Sequence, residues 1–393
     1  MIGSGALSAP PVVTGKAAPE PGLATAASAQ RPIAFFLPSL RAGGAERVVA
    51  NLVQGIARRG LPVDLVLAAA EGAFLDQLPA GVRLIDLRAS RVLQTLRPLT
   101  QYLRSVRPRI LISSMHHANL VALWAAKLAG QQTPVIVTVH NTLSQTPRRA
   151  LADRWIWPGL IRAFYPGARG IVAVSSGTAD DLARAAKIPR ERIQVIYNPV
   201  ITPATTALAR HVPDHAWFAH GQPPVILGVG RLTWAKDFST LIRAFAQVRQ
   251  RRPARLIIVG EGEERSALTS LAKELGVADD VALPGFRADA LAYMANSALF
   301  VLSSVSEALP TVLIEALAVG ARVVSSDCPS GPREILQDGR LGALVPVGDV
   351  TAMSAAILDA LDRPARPVSL EPLAPFTQDA AVDHYLRLIK DVE

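Results

Sequence analysis

A single cysteine, Cys328, stands in the 393 residues of this chain. An intrachain disulfide is therefore impossible, a metal site built on several cysteines is excluded, and a reducing cytoplasm fits best. No stretch reaches the roughly 18 uncharged apolar residues in a row that a membrane-spanning helix needs. The first thirty residues lack a basic start followed by a continuous apolar block, so they do not read as a secretory signal, and 1–30 is expected to be a disordered tail. Acid is scarce in one half only. Residues 1–200 hold 23 Lys/Arg against 10 Asp/Glu (net +13), and residues 201–393 hold 18 against 22 (net −4). The basic half is suited to an anionic partner such as membrane lipid, diphosphate or nucleic acid, and charge alone does not choose among these.

Half of the residues are hydrophobic, which is ample to bury, and a chain of this length divides most readily into two domains. From Arg31 onward, short β-branched runs (IAFFLP, PVDLVLA, RILISSM, PVIVTVH, GIVAVS) alternate with amphipathic stretches such as ERVVANLVQGIARR. This rhythm predicts a doubly wound parallel sheet, and near-continuous apolar runs suit strands covered by helices on both faces. The rhythm breaks after residue 200 and restarts with PPVILGVG, ARLIIVG, DVALPGF, ALFVLSS and ARVVSSD. The expected organisation is a tail over 1–30, a first Rossmann-like domain over 31–203, a linker over 204–221, a second such domain over 222–370 and a terminal helix over 371–393. The α/β domains are expected to face each other across a cleft.

Open parallel sheets bind ligands beyond the carboxyl ends of their strands, so the loops that follow strands are where chemistry is sought. After the first strand, Gly43 and Gly44 open a helix. They allow close approach of backbone to an anion at the helix N-terminus, or they form an ordinary tight turn. After ILGVG, Arg231 and Lys236 are either a clamp for a diphosphate or a solvated surface pair. In SEALPTVLIEA, Glu307 and Glu315 flank Pro310. One reading puts backbone N–H groups of Leu309, Thr311 and Val312 at a phosphate, with the carboxylates on sugar hydroxyls; the other makes Glu307 a cap and Glu315 a solvated helical residue. Spacing alone leaves these alternatives open.

The run E-A-L-P-T-V-L-I-E-A, with G-R-L-x-x-x-K-D, A-G-G-A-E-R and V-P-V-G-D in their order, resembles the family-four retaining glycosyltransferases (glycosyl transferases group 1) of GT-B fold, of the type that assembles bacterial surface polysaccharide or lipid-linked oligosaccharide. The resemblance runs from about Arg31 to the C-terminus. It implies that Arg231 and Lys236 hold the donor diphosphate and stabilise the departing nucleoside diphosphate, and that Gly43 and Gly44 approach the donor phosphate and reacting sugar. It places Glu307 on the transferred sugar, Glu315 on the ribose, His140 on the sugar from the opposite domain, Leu309, Pro310 and Thr311 at the phosphate, and Phe286 and Arg287 at the base. It also implies a sugar nucleotide, UDP by family frequency, as co-substrate, a glycan or lipid-linked acceptor, attack on the face the diphosphate leaves, and no cofactor or metal. The missing D-x-D pair agrees with the last expectation. Ala308 stands where many relatives have glycine, which would be strained if that position needed positive φ.

Two stretches concentrate the basic charge. Residues 87–110 hold six arginines and no acid, and residues 147–169 add Trp155, Trp157, Phe164 and Tyr165. They suit docking on an anionic membrane surface, hence a peripheral position at the inner face of the cell membrane, or they are sheet-covering helices with their arginines outward. A nucleotide-sugar epimerase of the same architecture is the rival enzyme, but no acid–base pair stands out. A nucleic-acid binder would interleave aromatics on strands as a stacking platform, and this chain does not.

Overall fold

The computed structural model describes residues 12–13, 31–41, 43–144, 153–363 and 370–393. Two compact units emerge. The first takes the described residues up to Val174 with Thr178–Pro199 and Gln378–Glu393, and the second takes Ser175–Gly177 and Val200–Thr377.

In the first unit the chain runs β1 (Val12–Val13), β2 (Ile33–Leu37), α1 (Gly44–Arg58), β3 (Val63–Leu67), β4 (Val82–Asp86), α2 (Leu96–Val106), β5 (Ile110–Ser114), α3 (His116–Leu128), β6 (Val135–Val139), α4 (Asp153–Phe164), β7 (Gly170–Ala173), α5 (Ser176–Ala186) and β8 (Ile193–Val195). The sheet order is β1-β4-β3-β2-β5-β6-β7-β8. Every pairing is parallel except that of β1, which lies antiparallel on the edge of β4. All five residues of β2, of β3, of β5 and of β6 are buried. Burying each large side chain contributes about 1.5–3 kcal/mol, against about 1–2 kcal/mol to order each backbone residue, so these runs hold the sheet centre. The direction of chain progress reverses between β2 and β5.

The second unit runs α6 (Pro203–Leu208), β9 (Val225–Val229), α7 (Phe238–Arg251), β10 (Arg255–Val259), α8 (Arg265–Glu274), β11 (Val281–Gly285), α9 (Ala290–Asn296), β12 (Leu299–Leu302), α10 (Thr311–Ala318), β13 (Val323–Ser326), α11 (Pro332–Ile335), β14 (Ala343–Val345) and α12 (Val350–Asp362). Its all-parallel sheet has the order β11-β10-β9-β12-β13-β14, with the reversal between β9 and β12. Leu241, Phe245 and Val248 of α7 share its core with Met353 and Ile357 of α12.

Three features differ from the sequence reading. The expected linker over 204–221 is structured: α6 and a 3-10 turn at Ala216–Phe218 lie there, grouped with the second unit. The terminal segment is a 3-10 turn, Glu371–Phe376, and a helix α13, Gln378–Val392. That helix packs in the first unit, where a Cβ on Gly55 of α1 would come 2.7 Å from Val382. Of the expected tail, Val12–Val13 forms β1 and the remainder of 1–30 lies outside the described residues. In the two basic stretches, Leu99, Tyr102 and Leu103 face the core while Arg88, Arg91, Arg97, Arg104 and Arg107 are exposed. Tyr165 is buried and Trp157 and Phe164 pack against the core, so these aromatics are not an outward belt. Residues 147–152 and the Trp155 side chain lie outside what is described.

Candidate functional site

The reversal between β9 and β12 brings the loops after these two strands together. The loop after β9 carries Arg231 and Lys236, and the loop after β12 carries Glu307. Lys236 Nζ donates to Glu307 Oε1 at 2.5 Å, and Ser304 Oγ donates to the same oxygen at 2.7 Å. Backbone ties fix the register: Ser303 Oγ donates to the Lys236 carbonyl (2.8 Å) and the Val305 N–H to the Ala235 carbonyl (2.9 Å). The Lys236 stem lies along bare backbone, since a Cβ on Gly230 would come 3.2 Å from its Cε. Gly260, just after β10, holds φ 144, and a Cβ there would fall 1.8 Å from the Gly230 carbonyl oxygen, so only glycine lets the loop after β10 lie this close to the loop after β9. The pair is partly screened from water, with side-chain exposures of 21% and 11%. Arg231 is exposed and makes no ion pair among the described residues.

Beyond Glu307 the chain passes Ala308 and buried Leu309 to Pro310, which caps α10 with φ −71 and ψ 94. Thr311 is the first helical residue, so Pro310 precedes the first turn. Ala308 is not among the residues with positive φ, which removes the strain expected there. Its carbonyl accepts from Ser175 Oγ (2.6 Å) and Ser330 Oγ (3.0 Å). Glu315 sits in the second turn of α10 and is buried at 8% exposure, which contradicts a solvated helical residue. Phe286 and Arg287 follow β11 at the same sheet edge, and Phe286 is 66% exposed, an apolar face open for stacking. Cys328 is buried and its thiol is pushed up to about 12, chiefly by that burial, so it stays protonated and inert.

In the first unit, Gly43 caps α1, which begins at Gly44. Neither glycine has positive φ. A Cβ on Gly44 would meet nothing within 4 Å, and one on Gly43 would meet only the Glu46 side chain. The carboxylate of Glu46 thus lies at the positive end of this helix, where an arriving phosphate would have to displace it. His140 follows β6. Its Nε2 lies 2.9 Å from Thr138 Oγ1, and its Nδ1 is buried with no partner among the described residues. Burial, and to a lesser degree the neighbouring His116, lower its pKa to about 4, so it is neutral at physiological pH.

Several polar groups at this edge escaped the sequence reading. Asn119 Nδ2 donates to the Thr138 carbonyl and to Tyr165 Oη, both at 2.9 Å, and His116 Nδ1 lies 3.2 Å from the same hydroxyl. Met115, which precedes α3, holds φ 78 and ψ 137, a conformation costing a side-chain-bearing residue about 1–3 kcal/mol. Buried Asp181 of α5 accepts from Leu143 N (2.5 Å) and from Ser144, fixing the loop that leaves His140. The only available sequence signal was the polar ending of the β5 run, S-S-M-H-H.

Open parallel sheets take their ligands at such a reversal point, and here that point carries a cation and a carboxylate joined to each other. Residues 42–203 match the family model Glycosyltransferase Family 4, and residues 215–374 match Glycosyl transferases group 1. The chain belongs to this group of glycosyltransferases and has their GT-B fold of two Rossmann-like domains. It is 29% identical over 334 residues, 82% of this chain and 87% of the relative, to N-acetylgalactosamine-N,N'-diacetylbacillosaminyl-diphospho-undecaprenol 4-alpha-N-acetylgalactosaminyltransferase of Campylobacter jejuni. It is 28% identical over 356 residues, 88% of this chain and 96% of the relative, to the lipopolysaccharide core biosynthesis glycosyltransferase LpsE of Rhizobium meliloti. Among solved structures, Anabaena Alr3699/HepE in complex with UDP and glucose superposes with a TM-score of 0.75 over 92% of this chain and 100% of that one, at 21% identity, a likeness of fold.

Proposed function

We propose that the protein is a retaining, metal-independent glycosyltransferase that moves a sugar from a nucleotide sugar, a UDP-sugar in the first instance, to a glycan or lipid-linked acceptor of surface polysaccharide, lipopolysaccharide or glycoconjugate biosynthesis. The observation that carries the reading is the Lys236–Glu307 pair at the reversal of the second sheet, with Arg231 in the same loop. As the glycosidic C–O bond to the diphosphate breaks, negative charge grows on the leaving oxygen. Arg231 and Lys236 meet that charge with fixed cations, a kind of stabilisation for which one donor is worth about 10²–10³ in rate. Glu307 accepts from the transferred sugar's hydroxyls and Glu315 from the ribose. Phe286 and Arg287 border the base, and the N–H groups of Leu309, Thr311 and the first turn of α10 meet phosphate. Gly43 and Gly44 give the donor access, and neutral His140 contacts the sugar. Attack comes from the face the diphosphate leaves.

The acceptor class is supported by the printed activities of the Campylobacter and Rhizobium relatives, and the choice of UDP by the UDP complex of the Anabaena protein. Exposed arginines along 88–107, with Leu93 at 63% exposure beside them, support docking at the cytoplasmic face of an anionic membrane. No helix among the described residues is long and apolar enough to cross one.

The test is thermal shift with UDP-, GDP- and ADP-sugars on wild type and Lys236→Ala, with and without EDTA. A nucleotide sugar should stabilise wild type alone, and EDTA should change nothing. No stabilisation by any of them would sink the donor assignment, and a stabilisation or turnover that required Mn²⁺ would sink the metal-independent one.

A further inference from the structure

Three contacts converge on one hydroxyl beneath His140. Thr138 Oγ1 lies 3.0 Å from the Ser113 carbonyl oxygen, 2.8 Å from Ser114 Oγ and 2.9 Å from His140 Nε2. A threonine hydroxyl has one proton to give and two lone pairs to receive with. The Ser113 carbonyl only accepts, so a hydrogen bond at that contact requires the Thr138 proton. The other two contacts are then hydrogen bonds only if Ser114 and His140 donate. In the opposite arrangement, with the His140 proton on Nδ1, Thr138 would have to turn its proton to Nε2. Two bare oxygens would then face each other at Ser113, and a buried Nδ1–H would have no partner among the described residues.

We propose that Thr138 is a positioning residue: by giving its proton to the Ser113 carbonyl it obliges His140 to carry its own on Nε2, which leaves the Nδ1 lone pair, buried in this structure, as the ring's one free acceptor for a sugar hydroxyl when the donor enters. The functional half of this inference rests on the placement of His140 at the sugar proposed above. The tautomer half rests only on the three contacts. Two further observations agree with it. Burial holds the ring neutral, so a lone pair is available at physiological pH. Asn119 Nδ2 holds the Thr138 carbonyl, fixing the end of β6 on which both side chains ride. A residue that must present a bare acceptor is served by a neighbour that consumes its other nitrogen, the same logic by which a carboxylate or carbonyl sets the tautomer of histidines elsewhere.

The experiment is long-range ¹H–¹⁵N correlation on the full chain with ¹⁵N-labelled histidine, His140 being assigned by its absence in His140→Asn. Wild type should show the Nε2–H form. Thr138→Val, which keeps shape and removes the hydroxyl, should lose that preference, and Thr138→Ser should restore it. Transfer from the nucleotide sugar that stabilises best in the thermal screen should fall about tenfold in kcat in Thr138→Val, the cost of one lost hydrogen bond, with KM little changed and recovery in Thr138→Ser. An Nδ1–H wild type, or a Thr138→Val that keeps the wild-type tautomer, overturns the proposal. A tautomer that shifts while kcat does not would uphold the role of Thr138 toward His140 and overturn instead the placement of His140 at the sugar.

Discussion

Separating the two roles of Lys236 gives the sharpest test of the site. Its ammonium is joined to a carboxylate that is 11% exposed, and the same Glu307 oxygen also accepts from Ser304. In Lys236→Met the carboxylate keeps the serine and loses the cation. Truncating one member of a fully buried pair costs about 3–5 kcal/mol, and an exposed pair is worth about 0.2–1 kcal/mol. A pair of intermediate burial with one remaining hydrogen bond should therefore lose about 2 kcal/mol of stability. Adding Glu307→Gln removes the stranded charge, so the double variant should recover about 1 kcal/mol relative to the sum of the singles. Affinity for UDP should behave differently. Loss of a charge-assisted contact to diphosphate costs about 1.5–3 kcal/mol; because Lys236 must leave Glu307 to meet UDP, the loss should lie at the lower end, about tenfold in Kd, and Glu307→Gln supplies no replacement cation. Urea unfolding and calorimetric titration with UDP, on all four members of the cycle, read the two quantities. Stability that recovers in the double variant while UDP binding stays lost is the expected signature. Strictly additive stabilities would refute the pairing, and UDP affinity within twofold of wild type in Lys236→Met would refute its role at the diphosphate.

Two other perturbations follow from the first unit. An unfolded histidine titrates near 6.5, whereas burial lowers His140 to about 4. The unfolded chain therefore takes up a proton that the folded site refuses: stability is intact above pH 6.5, falls as pH drops through that window, and is lower by about 3 kcal/mol once pH is below 4. Urea midpoints at pH 7.5 and 4.5 should show His140→Asn less acid-sensitive than wild type by about 2 kcal/mol, and identical acid slopes would contradict the buried neutral ring. Flotation with vesicles rich in phosphatidylglycerol at low salt should recover wild type, with Arg97→Gln and Arg107→Gln each weakening binding by about 1 kcal/mol. Failure of the wild type to float would remove the membrane from the proposal.

How much of this was legible in the sequence depends on how local the cause is. The central strands were legible because burial on both faces leaves an uninterrupted apolar signature: IAFFL and VIVTV carry it, and β2 and β6 are buried throughout. Arg231, Lys236 and Glu307 were legible as candidates because each follows an apolar run, where parallel sheets put their ligands. Their joining was not, since Lys236 and Glu307 are 71 residues apart and meet only because β9 and β12 are neighbours. The membership of α13 in the first unit was equally hidden. Gln378 Nε2 reaches the Asn51 carbonyl across 327 residues, a contact that no local pattern encodes. The choice for the aromatics at 157, 164 and 165 was left open for a related reason: composition marks them only as amphipathic, whereas the Tyr165 hydroxyl finds its partners in Asn119 and His116 of α3, which allows the ring to be buried.

The ion pair also bears on selectivity. Lys236 faces Glu307, so an anion approaching it meets an ammonium whose charge is already largely answered. A bare phosphate could draw Lys236 away only by leaving the Glu307 carboxylate, at 11% exposure, with Ser304 as its remaining donor and a desolvation cost uncompensated. A ligand that carries phosphate oxygens and, beside them, hydroxyl groups can take the ammonium while donating to the carboxylate, so both groups exchange one partner for another and neither is stranded. If the donor binds here as proposed, the arrangement favours a sugar joined to a diphosphate over either half alone, by penalising the incomplete ligand. After transfer the sugar is gone, the nucleoside diphosphate can no longer satisfy Glu307, and the return of Lys236 to its carboxylate competes directly with the product. On the proposed function, the pair that discriminates among donors would thus also help to release what remains of one.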